Sequence, residues 1–386
     1  MGIIAKYIKT FLALITIYIV LMFIAFSLPE GNLQHHVNDA VKVFKREGIY
    51  YPPNQDYHEQ TKVDNYTDVQ VMIARTVVHG SPISHSMEMA NYSRYWHGYQ
   101  VWLRPMMIAM DYRNVRIIYG VAVIIMLCAA FHFISKAASF RIGIAFAATM
   151  ALSHVEVFGL SMQYSNIFLI TFAFLIFISL KRERIKSAPD SVYFYFFIVG
   201  SVVSFVDLLT VPIVSLGMPM VLILVILSQR SDLSVKDNCV TVVVSSLVWG
   251  IGYATTWITK WIVASAILMK NVPADAIHQM TFRVMGDQRF PTDRLEMLRL
   301  NIDTMFMDKN VLLALIITTI TMYIVGIKNK FATITPLLLT CFMPYAWYLI
   351  LANHSQIHYF FTYRSQAVLL FAALAIISVK LKGKEQ

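Results

Sequence analysis

The chain has 386 residues, of which 58% are hydrophobic and only 14% charged; a soluble domain runs to roughly 45–50% and about 25%, so an ordinary soluble protein is excluded. The formal net charge of +10 would suit a nucleic-acid binder, but the cations stand in short clusters between apolar runs, the pattern of membrane topology signals and not of a basic nucleic-acid patch. Cys128, Cys239 and Cys341 all lie inside apolar runs and give neither a disulfide framework nor metal-ligand spacing.

Taken in chain order, ten runs have the length and composition of transmembrane helices: 10–28, 117–134, 142–160, 164–180, 191–209, 211–228, 238–256, 310–327, 332–351 and 364–379. The first follows Lys6 and Lys9 and lacks a small-residue cleavage site, so it is expected to be a retained helix, with domain bounds 1–28. Every second connection is short and basic: Lys136 and Arg141, then Lys181, Arg182, Arg184 and Lys186, then Arg230 and Lys236, then Lys328 and Lys330. Lys380, Lys382 and Lys384 end the chain. The positive-inside rule places these clusters and both termini in the cytoplasm. Two long extracytoplasmic segments follow, 29–116 after the first helix and 257–309 between the seventh and eighth; helices two to seven fill 117–256, and helices eight to ten with a basic tail fill 310–386. The expectation is an all-α polytopic membrane protein with about ten transmembrane helices, a large outer loop after helix 1 and a second outer loop between helices 7 and 8. No internal repeat is visible, which counts against many transporter folds.

In the first outer segment, "KVDNYTDVQVMIARTVVHG" reads as a helix capped by Thr67 with Gln70 three residues on, ended at Gly80. Asp68 sits at its start and Asp64 just before it; either is a helix-start acid or a general base at the membrane surface. Further along, "YSRYWHGYQVWLRP" at helical spacing puts Tyr92, Tyr95, Trp96, Tyr99 and Trp102 on one face and Arg94, His97 and Arg104 on the other, with Pro105 ending the helix. That is an interfacial helix: either a plain aromatic anchor or a site where arginine forks hold a lipid phosphate.

More polar residues fall at the expected outer ends of the later runs. His154 and Glu156 are placed to pair or to line a cavity, and Asp207 precedes the helix-breaking Pro212, Gly217 and Pro219. Lys260 stands between Trp257 and Trp261. His354 and His358 are one turn apart, with Arg364 following; an i,i+4 histidine pair is a weak metal signal, and polar cavity lining is the better account. The short inner connections hold no Gly-rich nucleotide loop.

Multiple spans, an early acidic outer loop and an outward polar cavity resemble the GT-C glycosyltransferases, and "DNYTD", "RYWHGYQVWLRP" and "NHSQIHYFFTYR" look like segments of bacterial membrane proteins of that kind. The resemblance implies an integral plasma-membrane enzyme that takes a sugar from a polyprenyl-phosphate carrier and passes it to a glycan or lipid acceptor on the outer face. It implies Asp68 or Asp64 as the base, although both come later in the loop than the family pattern, so that Glu30, Asp39 and Asp56 stay open. It implies Arg94, His97, Arg104, His154, Glu156, Asp207, Lys260, His354, His358 and Arg364 as the substrate and lipid-phosphate lining. No soluble cofactor and no nucleic acid is implied, and a divalent metal is optional. The rival readings are a flippase for a lipid-linked saccharide and an outer-face acyltransferase.

Overall fold

The computed structural model describes residues 2–230 and 232–381. Lys382 and Lys384 of the basic tail lie outside the described residues, and the side chains of Lys328, Lys330 and Lys380 are not described. The chain is a helical bundle. Helix α1 (Ile3–Ser27) leads into α2 (Leu33–Glu47), the short hairpin pairing β1 (Tyr50–Tyr51) with β2 (Val63–Asp64) around α3 (His58–Thr61), a π-helix at Tyr66–Ile73, α4 (Pro82–Glu88) and α5 (Gln100–Ala109). The bundle continues through α6 (Tyr112–Ala137), α7 (Phe140–Leu152), α8 (Met162–Leu180), α9 (Arg182–Ser187), α10 (Ser191–Val206), α11 (Val214–Leu227) and α12 (Val235–Leu268). It closes with α13 (Val272–Met285), α14 (Arg294–Met305), α15 (Lys309–Cys341), α16 (Met343–Ile350), α17 (Ala352–Ile357), α18 (Tyr359–Thr362) and α19 (Ala367–Leu381).

Among the described residues, five segments are long and apolar enough to cross a bilayer: Ile3–Ser27, Tyr112–Ala137, Met162–Leu180, Val235–Leu268 and Tyr359–Ser378. Shorter apolar helices pack among them. Exposed isoleucines on α1, α6 and α12, such as Ile4, Ile124 and Ile262, form an apolar outer wall, as befits a protein whose surroundings are lipid. The protein is therefore an all-α, membrane-embedded one.

Several boundaries differ from the sequence reading: α12 runs to Leu268, twelve residues past the expected end of helix 7 at 256 and into the expected second outer segment. The run 142–160 is helical only to Leu152; His154 then adopts a left-handed backbone (φ 56°) and the chain continues as a 3-10 turn, Val155–Leu160. Helical backbone runs on through the turn expected near 328–331, so that α15 takes in both flanking runs. A straight helix of that length would be about 50 Å long. Yet Val311 and Leu370 line one cleft, and Cys341 Sγ lies 4.0 Å from the Leu369 carbonyl. Both ends of α15 thus meet the same stretch of α19, as two spans joined by a turn would, and the helix is not straight.

The two ends of the bundle differ. At one end Arg182 donates to the Lys136 carbonyl, and Arg230 to that of Lys186, which gathers the short basic connections. At the other, the segment before α6, the connections after α7 and α10, α13, α14 and α17 interlock through long-range hydrogen bonds such as Gln163 to Asp64, His354 to Leu209 and Asn301 to Ser355.

Candidate functional site

The sequence-predicted residues all lie at this second end, but they do different work there. Asp64 is not a free acid. Its carboxylate accepts from Thr67 N at 2.9 Å, Thr67 Oγ1 at 2.8 Å and Gln163 Nε2 at 3.1 Å. The cap is thus supplied by Asp64, and the predicted Thr67–Gln70 capping box is not formed: Asn65 precedes the π-helix with no side-chain cap. Asp68 is fully buried and accepts from Met162 N at 2.9 Å and from Ser161 Oγ, Gln163 N and Tyr112 OH, each at 3.3 Å. It caps the start of α8, where free backbone N–H groups favour an anion. Burial pushes both carboxyls up, that of Asp68 to about 7, against the pull of these donors.

The predicted interfacial helix over 92–105 does not form as one helix; only its end, from Gln100, is helical. Met89, Ala90, Asn91 and His97 have left-handed backbones, and helix α5 begins only at Gln100. Pro105 does not end it either, for α5 runs on to Ala109. The aromatics point into protein: Tyr95, Trp96 and Tyr99 are buried, and Trp96 Nε1 donates to the Thr256 carbonyl at 2.7 Å. Nor do the cations share one face open to lipid. Arg94 pairs with Asp275 at 3.2 Å and lies over the Tyr92 ring. His97 joins Tyr99 OH at 2.6 Å and the Tyr92 carbonyl at 3.1 Å, and burial holds it well below the usual histidine range. Arg104 is buried and donates to the carbonyls of Thr76, Ala25 and Leu28, which closes the C-terminus of α1.

Lys260, also buried, donates to the carbonyls of Ser86 and Met87 at the end of α4. Arg364 does the same for Ser153, Phe360 and Gln60. These cations are engaged with main-chain oxygens in separate places instead of converging on one anion. Asp207 accepts from Thr210 N at 2.9 Å. His354 bridges Arg283 and the Leu209 carbonyl, and His358 stacks on Phe361. Among the described residues no three His, Cys, Asp or Glu side chains converge as a metal site would require.

One pair stands apart because it opens onto space. His154 Nδ1 meets Glu156 Oε1 at 2.7 Å, and the Glu156 side chain is 57% exposed. Both line a cleft of about 540 Å³. Its lining mixes polar residues, Asn54, Tyr57, Gln60, His154, Glu156 and Asp308, with apolar ones, Leu152, Val311 and Leu370 and the methionines and phenylalanine of 305–307. Leu152, Val311 and Leu370 come from the ends of α7, α15 and α19, so the cleft sits where these helices give way to the second end of the bundle. Nδ1 is tied to the carboxylate and Nε2 has no hydrogen-bond partner among the described residues, although the His154 side chain is only 14% exposed against 57% for Glu156. This is the arrangement in which a carboxylate orients an imidazole for proton transfer.

Sequence reasoning found His154 and Glu156 but missed Gln60, Asp308 and Arg283. Gln60 and Asp308 reach the cleft from segments about 250 residues apart in the chain, and no local spacing betrays that. Comparison with family models, with curated proteins and with solved structures found no match to this chain.

Proposed function

We propose that the protein is an outer-face membrane transferase of GT-C type, which moves a sugar from a polyprenyl-phosphate carrier to a hydroxyl acceptor at the cleft. The observation that carries the reading is the His154–Glu156 pair lining a cleft that also presents apolar side chains. The alternation of basic connections supports placing this end outside, with both termini in the cytoplasm. His154 Nε2 takes the acceptor proton while Glu156 holds the ring and offsets its growing charge. The acceptor oxygen then bonds to the anomeric carbon as the carbon–oxygen bond to the lipid phosphate breaks, and the phosphate leaves with the electron pair. Asp68 and Asp64 serve as caps that hold the outer segment against α8, a role their donors support better than that of base. The same pair would also serve acyl transfer to a hydroxyl, so the donor consumed decides between the two chemistries.

The test is turnover by purified protein in lipid nanodiscs supplied with polyprenyl-phosphate sugars or acyl donors. Glu156→Gln and His154→Gln are expected to cut kcat by about 10²–10⁴-fold with unchanged melting behaviour. Full turnover in both variants would remove the pair from the chemistry. Sugar movement across a membrane without bond cleavage would instead point to a flippase.

A further inference from the structure

The charge of the cleft bears on which of the two substrates it holds. Among the described residues its lining contains two carboxylates, Glu156 and Asp308, and one imidazole, but no lysine or arginine. Arg364 lies nearby but is fully buried and its guanidinium is committed to the carbonyls of Ser153, Phe360 and Gln60. A phosphate entering here would meet two like charges, with the nearby Arg364 buried and its N–H groups turned to carbonyls instead of to the cleft. Of the other polar lining groups, Asn54 and Tyr57 are of the kind that bind hydroxyls, while Gln60 Nε2 and Thr304 Oγ1 already donate to the Thr304 and Leu300 carbonyls. The apolar side chains of Leu152, Val311 and Leu370 continue from the membrane-embedded helices and suit a hydrocarbon chain.

We infer that the cleft is the acceptor site, and that its ligand is a neutral, hydroxyl-bearing amphiphile such as a glycolipid, with the chain against Leu152, Val311 and Leu370 and the head group at His154–Glu156. This rests on the transferase reading for its chemistry, but the binding preference stands on the lining alone. The phosphate-bearing donor then approaches from outside the cleft, and its head group does not displace the acceptor. Glu156 and Asp308 act on specificity as well as on position, because they repel an anionic head before any reaction occurs.

The experiment is equilibrium binding to the full-length protein in nanodiscs, with radiolabelled decyl glucoside and decyl phosphate as probes. Leu152→Trp, which fills the cleft, gives the lipid-partition blank. Decyl glucoside is expected to bind above the blank and at least about tenfold tighter than decyl phosphate. The double variant Glu156→Gln, Asp308→Asn should narrow that preference, and asparagine keeps the helix cap at 308. Decyl phosphate binding as tightly as the glucoside, or tighter, overturns the assignment, as does glucoside binding no better than the blank. Because no turnover is read, the two ideas fail separately. A protein that transfers sugar but prefers decyl phosphate keeps the transferase reading and loses the acceptor site. One that prefers the glucoside but transfers nothing keeps the site and loses the chemistry.

Discussion

Asp68 shows how one buried carboxylate can couple a fold to pH. Four donors reach it, yet burial dominates and pushes it up to about 7. Between the ordinary aspartate range and that value, the folded protein keeps a proton that the unfolded chain has released. Stability from this group is therefore full below about pH 4 and is lost as pH rises through 7, at no more than about 1.4 kcal/mol per pH unit. Melting curves from pH 4 to 7 should fall in the wild type relative to Asp68→Asn, which cannot titrate. The variant should itself lose about 1–3 kcal/mol, because its amide NH2 turns a donor toward a backbone N–H. Parallel pH profiles for the two proteins would show that Asp68 does not titrate in this window. The sequence marked Asp68 as a helix-start acid or a base; that it caps a different helix, begun 94 residues later, could not be read from its neighbours.

At the scale of elements, helix ends were less legible than helix existence. Apolar runs of bilayer length are a one-dimensional signal, and each of the ten predicted runs overlaps a helix. The stretch from Tyr92 to Pro105 failed because its helical spacing is real but tertiary contacts override it. Gly98 shows why: its N–H donates to the Phe205 carbonyl at 2.7 Å, and a Cβ there would lie 2.4 Å from the Phe205 ring. Gly98→Ala should destabilise by about 1–3 kcal/mol, read as a drop in denaturation midpoint; an unchanged midpoint would mean this contact gives way freely. Arg104 is the corresponding case for a charge. One guanidinium reaches three carbonyls that a lysine ammonium, without the planar fork, serves less well. Arg104→Lys should lower stability and loosen α1, which protease sensitivity near Leu28 would report; a cation facing lipid phosphate would leave it unchanged.

At the scale of the whole molecule, the lysine and arginine pattern anticipated a two-ended bundle, and among the described residues the structure brings three of the short basic connections together at one end and parts of the long segments together at the other. What holds the middle is close helix approach: a Cβ on Gly200 or Gly252 would come within 2.2 Å of a carbonyl of the facing helix, so α10 and α12 meet backbone to backbone. The proposed orientation is tested by single cysteines in a background lacking Cys128, Cys239 and Cys341. A cysteine at Asp56 should react with a membrane-impermeant thiol reagent from outside, and one at Arg184 only after permeabilisation. The reverse pattern would invert the protein and place the cleft in the cytoplasm. The cleft itself was invisible in the sequence, because Asn54, His154, Thr304 and Leu370 become neighbours only after the bundle closes.

On the proposed role of His154 as the base, its left-handed backbone sets evolution two incompatible goals. A non-glycine residue held at a φ of 56° carries strain of order 1 kcal/mol or more, and asparagine or glycine would relieve it. Random mutagenesis selected for heat resistance alone should therefore recover His154→Asn or His154→Gly, while selection for turnover should purge both. A library in which the hardiest survivors keep histidine at this position would show that its conformation is no burden. Their loss of histidine would make position 154 a place where the protein trades durability for work.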